Sequence, residues 1–279
     1  MTALPPPSRR PRVRAGLWLG AAVLAALVLV ALVPSLLAPH SPTEADPLRT
    51  LLPPGAHHPL GTDQNGRDVL SRMVHGARPS LLSGLGASGL ALLGGTALGL
   101  LAARGGRVAD QVVTRGLDVF MAIPGLLLAL LVIAVAGPGT LNVVLAVAVL
   151  TMPVYARIVR AQILQISRSG YVEGAVTLGV RPAAIVWRHV LPNALGPVLV
   201  LATLGVGSAI GAGSTLSFLG LGPRPPAPEW GAMLADSRGY YAVAWWTAVF
   251  PGVAITGSVL AITVVGRHLQ RRVEGRRVP

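Results

Sequence analysis

Three groups of residues in this sequence have types and spacings that suit chemistry. His57 and His58 are adjacent, with His40 upstream, and imidazole is the commonest metal ligand among side chains. Adjacent histidines are common in exposed loops, so no metal is assigned to them. Asp63, Arg67 and Asp68 lie close enough to form a gate or a docking surface. They would equally form local salt bridges around a helix capped at Asp68. Glu173-Gly174-Ala175, Gly179 and Leu191-Pro192 punctuate a polar stretch between apolar runs, where a partner would be met.

What is missing is as informative. The chain has no cysteine, which excludes disulfides, thiolate catalysis and cysteine-ligated zinc. All of its Lys+Arg total of 23 is arginine. A phosphate-binding loop of the G-x-x-x-x-G-K-[ST] type needs its lysine on the β/γ-phosphates, so this chain cannot carry one. If ATP drives it, ATP and Mg are held by another polypeptide, and no cofactor is expected here. The apolar runs also pair no nucleophile with a histidine or carboxylate, so no catalytic residue is assigned and the chain is not read as an enzyme.

Those residues must be positioned by elements suited to a bilayer. Hydrophobic residues make up 52% of the chain and charged residues 12%, against roughly 25% charged in soluble domains. The net charge of +13 is spread between apolar runs, and aromatics are 4% with no stacking signature, so nucleic acid is excluded as a partner. Charge-free runs lie at Ala15–Pro39, Pro79–Ala103, Val119–Ala156, Val190–Pro223 and Gly239–Gly266, where a crossing needs about 20 residues. The third run is long enough for two helices around Gly137-Pro138-Gly139. The expectation is an all-α polytopic membrane protein with six transmembrane helices.

The organisation follows: a basic N-terminus over 1–16, a first span over 17–38, an outer segment over 39–80, a helical core over 81–266 with an inner loop at 157–193, and a basic C-terminus over 267–279. The first apolar core, Leu17–Leu37, exceeds the roughly 7–15 residues of a signal peptide, so it reads as an uncleaved helix. Arginines concentrate in alternate segments, which by the positive-inside tendency places both termini in the cytoplasm, where anionic lipid is a further partner. Trp245 and Trp246, with Tyr240 and Tyr241, then fall at the outer interface. No ionisable residue lies at mid-depth in a span, which weighs against the alternative of an ion-coupled secondary transporter.

Within the inner loop, Tyr171–Leu178 suits a short helix, Gly179 a left-handed terminus, and Pro182 the first turn of a second helix. Ile185, Val186, His189 and Val190 give that second helix an apolar face.

The residues of this loop also resemble a known pattern. Glu173-Gly174-Ala175, Gly179 and Leu191-Pro192 are similar to the EAA loop, E-A-A-x₃-G-x₉-I-x-L-P, of membrane subunits of binding-protein-dependent ABC importers, with Gly174 and His189 as departures. The segments from His58 to Arg72 and from Asp118 to Pro124, the run Leu216–Gly222, and Trp230-Gly231-Ala232-Met233-Leu234 resemble the dipeptide, oligopeptide and nickel branch, specifically its C-type permease. The resemblance implies a type I ABC importer permease (MetI-like) fold in a bacterial cytoplasmic membrane. It implies a homologous permease as heterodimer partner, two cytosolic ATP-binding subunits, one of them docked on the EAA loop, and an extracytoplasmic solute-binding protein. That binding protein would dock, or an outer gate would form, around Asp63, Arg67, Asp68 and Trp230. The solute implied is a dipeptide or oligopeptide, or a related cargo such as glutathione or chelated nickel.

Overall fold

The computed structural model describes residues 11–274, and among them there is no β-strand. Helix α1 (Pro11–Leu32) is followed by a single turn, α2 (Pro34–Leu37), and by an irregular segment that leads to α3 (Val69–Arg104). Helices α4 (Gly106–Ala122), α5 (Gly125–Ala136) and α6 (Thr140–Ser167) come next, then the short α7 (Gly170–Thr177) and α8 (Pro182–Ile185). A π-helical turn over Val186–Val190 joins α8 to α9 (Leu191–Phe218). A loop, the short α10 (Trp230–Asp236) and α11 (Trp246–Glu274) complete the chain.

Four of these helices are long and apolar enough to cross a membrane: α3, α6, α9 with the turns before it, and α11. The pair α4–α5, bent by 97°, makes a fifth when the two are taken as one broken span, and α1 adds a shorter apolar stretch, Gly16–Leu32, a set roughly consistent with the expected six. The bend was not legible as a break in the apolar run. It sits at Ile123-Pro124, where proline forces the preceding residue out of the helical region, and Ile123 takes φ −82 and ψ 130. Helix α5 has 12 residues, about 18 Å at the usual rise, so the third crossing is not one straight helix. The turn at Gly137-Pro138-Gly139 forms where expected, with Asn142 donating to the carbonyls of Ala136 and Gly137.

Helix α3 begins at Val69, well before the apolar run that signalled it, and continues through Pro79. Its contact with α6 depends on small residues. A Cβ on Gly95 would stand 2.5 Å from Tyr155 Cβ, and one on Gly99 would stand 2.6 Å from the Ala156 carbonyl. Absent side chains at both positions let the two backbones approach, the usual use of a small-x-x-x-small pair in membranes.

Three apolar clusters follow along the bundle. One, near α7 and α8, gathers Ile163, Val172, Ala175, Ile185, Val190 and Ala194. A middle one joins Ala87, Ile133, Val147 and Leu216. The third, at the opposite end, includes Val69, Trp230, Met233 and Trp246. Trp246 therefore departs from the expected interfacial ring: it is 5% exposed, and its indole donates to the Thr62 carbonyl at 3.1 Å. Trp245 and Tyr241 do remain exposed.

Candidate functional site

At one end of the bundle, the segment from Gly170 to Val190 folds as two short helices against α6 and α9. Helix α7 stops at Leu178 because Gly179 turns left-handed, with φ +74. The Val180 amide donates to the Ala175 carbonyl at 3.1 Å and the Gly179 amide to that of Val176 at 2.9 Å. This paired arrangement satisfies carbonyls that a helix end leaves open. Pro182 then starts α8 at a position where its missing N–H costs nothing.

One face of this pair is anchored and the other is bare. Val172 and Ala175 on α7 and Ile185 on α8 pack into the same cluster as Ile163 of α6 and Val190 and Ala194 at the start of α9. Val159, Val198 and Ala91 carry that cluster to α3. Outward face Tyr171, Glu173, Gly174, Val176 and Gly179, with Leu178 at 85% and Trp187 at 65% exposure. The Glu173 carboxylate has no partner among the described residues. Large apolar side chains beside an unpaired charge are what an interface with another protein would use. Leu191 is buried at the head of α9 and Pro192 is exposed beside it. Of the predicted loop residues, the structure thus brings Glu173, Gly174 and Gly179 to one surface, whereas Ala175 and Leu191 anchor it from below.

Arg157 and Arg160 lie nearby but are occupied within the chain. Arg160 forms two hydrogen bonds to Asp110 of α4, at 2.6 and 2.7 Å, and Arg157 pairs with Asp118. They hold the tilted α4 against α6.

At the opposite end, Asp63, Arg67, Asp68 and Trp230 do converge, but inward. Their exposures are 6%, 4%, 3% and 1%. In this conformation none of the four offers a surface on which another protein could dock. Asp63 accepts from Arg67 Nε at 2.7 Å, with Arg72 Nε 3.4 Å from the same oxygen. Arg72 also donates to the carbonyls of Pro42 and Pro226 at 3.2 Å, tying two loops to α3. Asp236 at the end of α10 stands 3.9 Å from both arginines. Burial raises the Asp236 pKa, and Arg72 and Arg67 pull it back.

Asp68 caps the long helix α3 and not a short one, accepting from the Ser71 amide and hydroxyl at 2.7 Å. The Trp230 indole donates to the Met73 carbonyl at 2.9 Å.

Sequence reasoning did not single out Glu229, Arg72 or Asp236, although the charge of each sits beside an apolar helix. Glu229 caps α10 through the amides of Gly231 and Ala232, and the Ser80 hydroxyl donates to it. Its burial raises its pKa, an effect those hydrogen bonds only partly offset. Ser80, Ser83, Thr140, Ser214 and Ser217 line a small cleft that ends at Glu229.

Residues 95–277 match the family described as "Binding-protein-dependent transport system inner membrane component". The Dipeptide transport system permease protein DppC of Alkalihalophilus pseudofirmus is 39% identical over 251 residues, covering 90% of this chain and 83% of that protein. The Di/tripeptide transport system permease protein DppC of Pseudomonas aeruginosa is 42% identical over 250 residues, 88% of this chain and 82% of that protein. Among solved structures, a chain of the inward-facing MetNI methionine ABC transporter superposes with a TM-score of 0.58 at 23% identity. That superposition covers 72% of this chain and 96% of the other, and supports the fold.

Proposed function

The chain belongs to the family of binding-protein-dependent transport system inner membrane components, and from that membership we propose that it is the peptide-translocating permease of an ATP-driven importer. The observation that carries the solute class is the identity of 39–42% to dipeptide and di/tripeptide permeases across nearly the whole chain. A glutathione permease of Pectobacterium atrosepticum at 41% identity widens the class to small peptides and peptide-like solutes.

The division of labour follows from the residues. No phosphate-binding lysine exists in the chain, which leaves hydrolysis to partner subunits, and membership of the family supports two cytosolic ATPases in that role. A homologous permease completes the membrane path, and an extracytoplasmic binding protein delivers solute. The arginine bias supports a cytoplasmic position for both termini and the α7–α8 loop. The bare face of α7, with Glu173, Gly174 and Gly179, then meets one ATPase. Beneath it, the cluster running from Val172 and Ile185 through Val159 and Val198 links the loop to α6, α9 and α3. A packed core transmits displacement as a rigid-body shift and does not absorb it. Closure of the ATPase pair would therefore tilt these helices together. Asp63, Arg67, Asp68 and Trp230 hold the outer end in one arrangement and serve as an outer latch.

The test is uptake of labelled dipeptide into proteoliposomes holding the complete complex, with ATP enclosed on the ATPase side. Uptake should require ATP and loaded binding protein, and should collapse in Glu173→Arg with assembly intact. Uptake driven by an ion gradient without ATPases would replace this reading with a secondary transporter.

A further inference from the structure

Beyond transport, and independent of the solute, the outer segment holds a cluster of metal-ligating groups. The histidines gave no metal site by spacing, because His40 and His58 are far apart in the chain and the folded segment alone reveals their proximity. The His40 amide donates to the Ser71 hydroxyl at 3.1 Å, which sets the start of the segment beside the first turn of α3. His58 is 8% exposed, and its Nδ1 lies 2.9 Å from Asp68 Oδ1. The His40 Nδ1 is 3.8 Å from that same oxygen, and the two imidazole ring centroids lie 4.9 Å apart with the planes tilted by 36°. A ligand atom from each of the three residues lies within 4.8 Å of the others.

Two further observations point to a ligand. The buried Nε2 of His58 has no hydrogen-bond partner, and buried polar atoms without partners are few and call for explanation. With Nδ1 donating to the Asp68 carboxylate, Nε2 carries a free lone pair. A carboxylate that orients an imidazole in this way is the usual support of a metal-bound histidine. The second is space: His40, His58 and Asp68 open onto a cavity of about 140 Å³ whose walls also carry Glu44 and the Asp46–Arg49 pair, joined at 3.1 Å.

We propose that His40 and His58, with the negative charge of Asp68, bind a divalent transition-metal ion. Two imidazoles beside a carboxylate suit zinc, nickel, cobalt or copper, whereas calcium and magnesium prefer all-oxygen shells. Metal–nitrogen bonds near 2.1 Å require the donors to draw together from a spacing of up to 4.8 Å, which His40 can supply, since its side chain is 43% exposed. The bound ion clips the segment after α2 to the N-terminus of α3, beside the buried Asp63–Arg72 pair.

The experiment is isothermal titration of Zn²⁺, Ni²⁺ and Mg²⁺ into the assembled transporter, untagged, chelator-treated and held in nanodiscs. One Zn²⁺ or Ni²⁺ per copy of this chain should bind, Mg²⁺ should not compete, and X-ray absorption should show two imidazoles on the ion. His40→Ala removes an exposed side chain and should fold; it should weaken binding by about tenfold or more. His57→Ala, an exposed neighbour, should leave binding unchanged. Absence of saturable transition-metal binding, unchanged affinity in His40→Ala, or equal loss in His57→Ala would each overturn the assignment.

Discussion

Two glycines of the α7 motif should respond in opposite directions to the same added methyl group. Both Gly174 and Gly179 have nothing within 4 Å of where a Cβ would stand, so crowding decides neither outcome. Gly174 lies inside α7, where glycine costs roughly 0.5–1 kcal/mol relative to alanine. Gly179 holds φ +74, a conformation that costs an L-residue roughly 1–2 kcal/mol. Gly174→Ala should therefore stabilise the local fold, and Gly179→Ala should destabilise it. The two variants should differ by about 1.5–3 kcal/mol, or roughly 10- to 150-fold in local opening. Amide hydrogen exchange over 170–180, measured on the assembled complex in nanodiscs, reads that ratio directly. Protection shifted in the same direction by both substitutions, or no difference between them, would refute the role given to the left-handed turn. If the partner ATPase packs directly over Gly174, the alanine would also reduce stimulated hydrolysis while protecting the helix, which separates interface from fold.

Two more outcomes follow from the buried polar and glycine contacts. Burial raises the Glu229 pKa above 4.5, so its contribution to stability is full below that value and is lost as pH rises through the folded pKa. Thermal stability of the wild type relative to Glu229→Gln should therefore improve on acidification from neutral pH toward 5, and a difference that shrinks on acidification would contradict the burial argument. Gly99→Val should destabilise by about 1–3 kcal/mol or more through overpacking, because its Cβ would meet the Ala156 carbonyl at 2.6 Å, whereas Gly116→Ala meets nothing within 4 Å and should lose no stability.

The sequence made helix number, the hairpin at Gly137–Gly139 and the bend at Gly179 legible, because each rests on local chemistry: apolar length, glycine and proline. Three features were hidden for physical reasons. The early start of α3 carries Arg72 and His75, which mask it from an apolar-run criterion, and Arg72 is tolerated there only because distant carbonyls and Asp63 surround it. The burial of Trp246 depends on a carbonyl 184 residues away. The break at Pro124 lies inside an unbroken apolar stretch, where composition cannot separate a bent pair from a straight span. Site residues divided in the same way. The left-handed turn at Gly179 was readable from local chemistry, but the inward turn of Asp63, Arg67 and Asp68 became visible only once the outer segment had folded over α3.

The central claim, that the bare face of α7 meets an ATPase, can be tested by site-specific cross-linking. The chain contains no cysteine, so a single introduced one carries a photoactivated probe with no background from this chain, in a complex whose partner subunits have had their cysteines replaced. Leu178→Cys occupies a site 85% exposed at the loop, and Val135→Cys one equally exposed at the end of α5 near the opposite face of the bundle. In the assembled complex Leu178→Cys should cross-link to the ATPase subunit in a nucleotide-dependent manner, and Val135→Cys should not. Absence of an ATPase adduct at position 178, or the same adduct from position 135, would contradict the account.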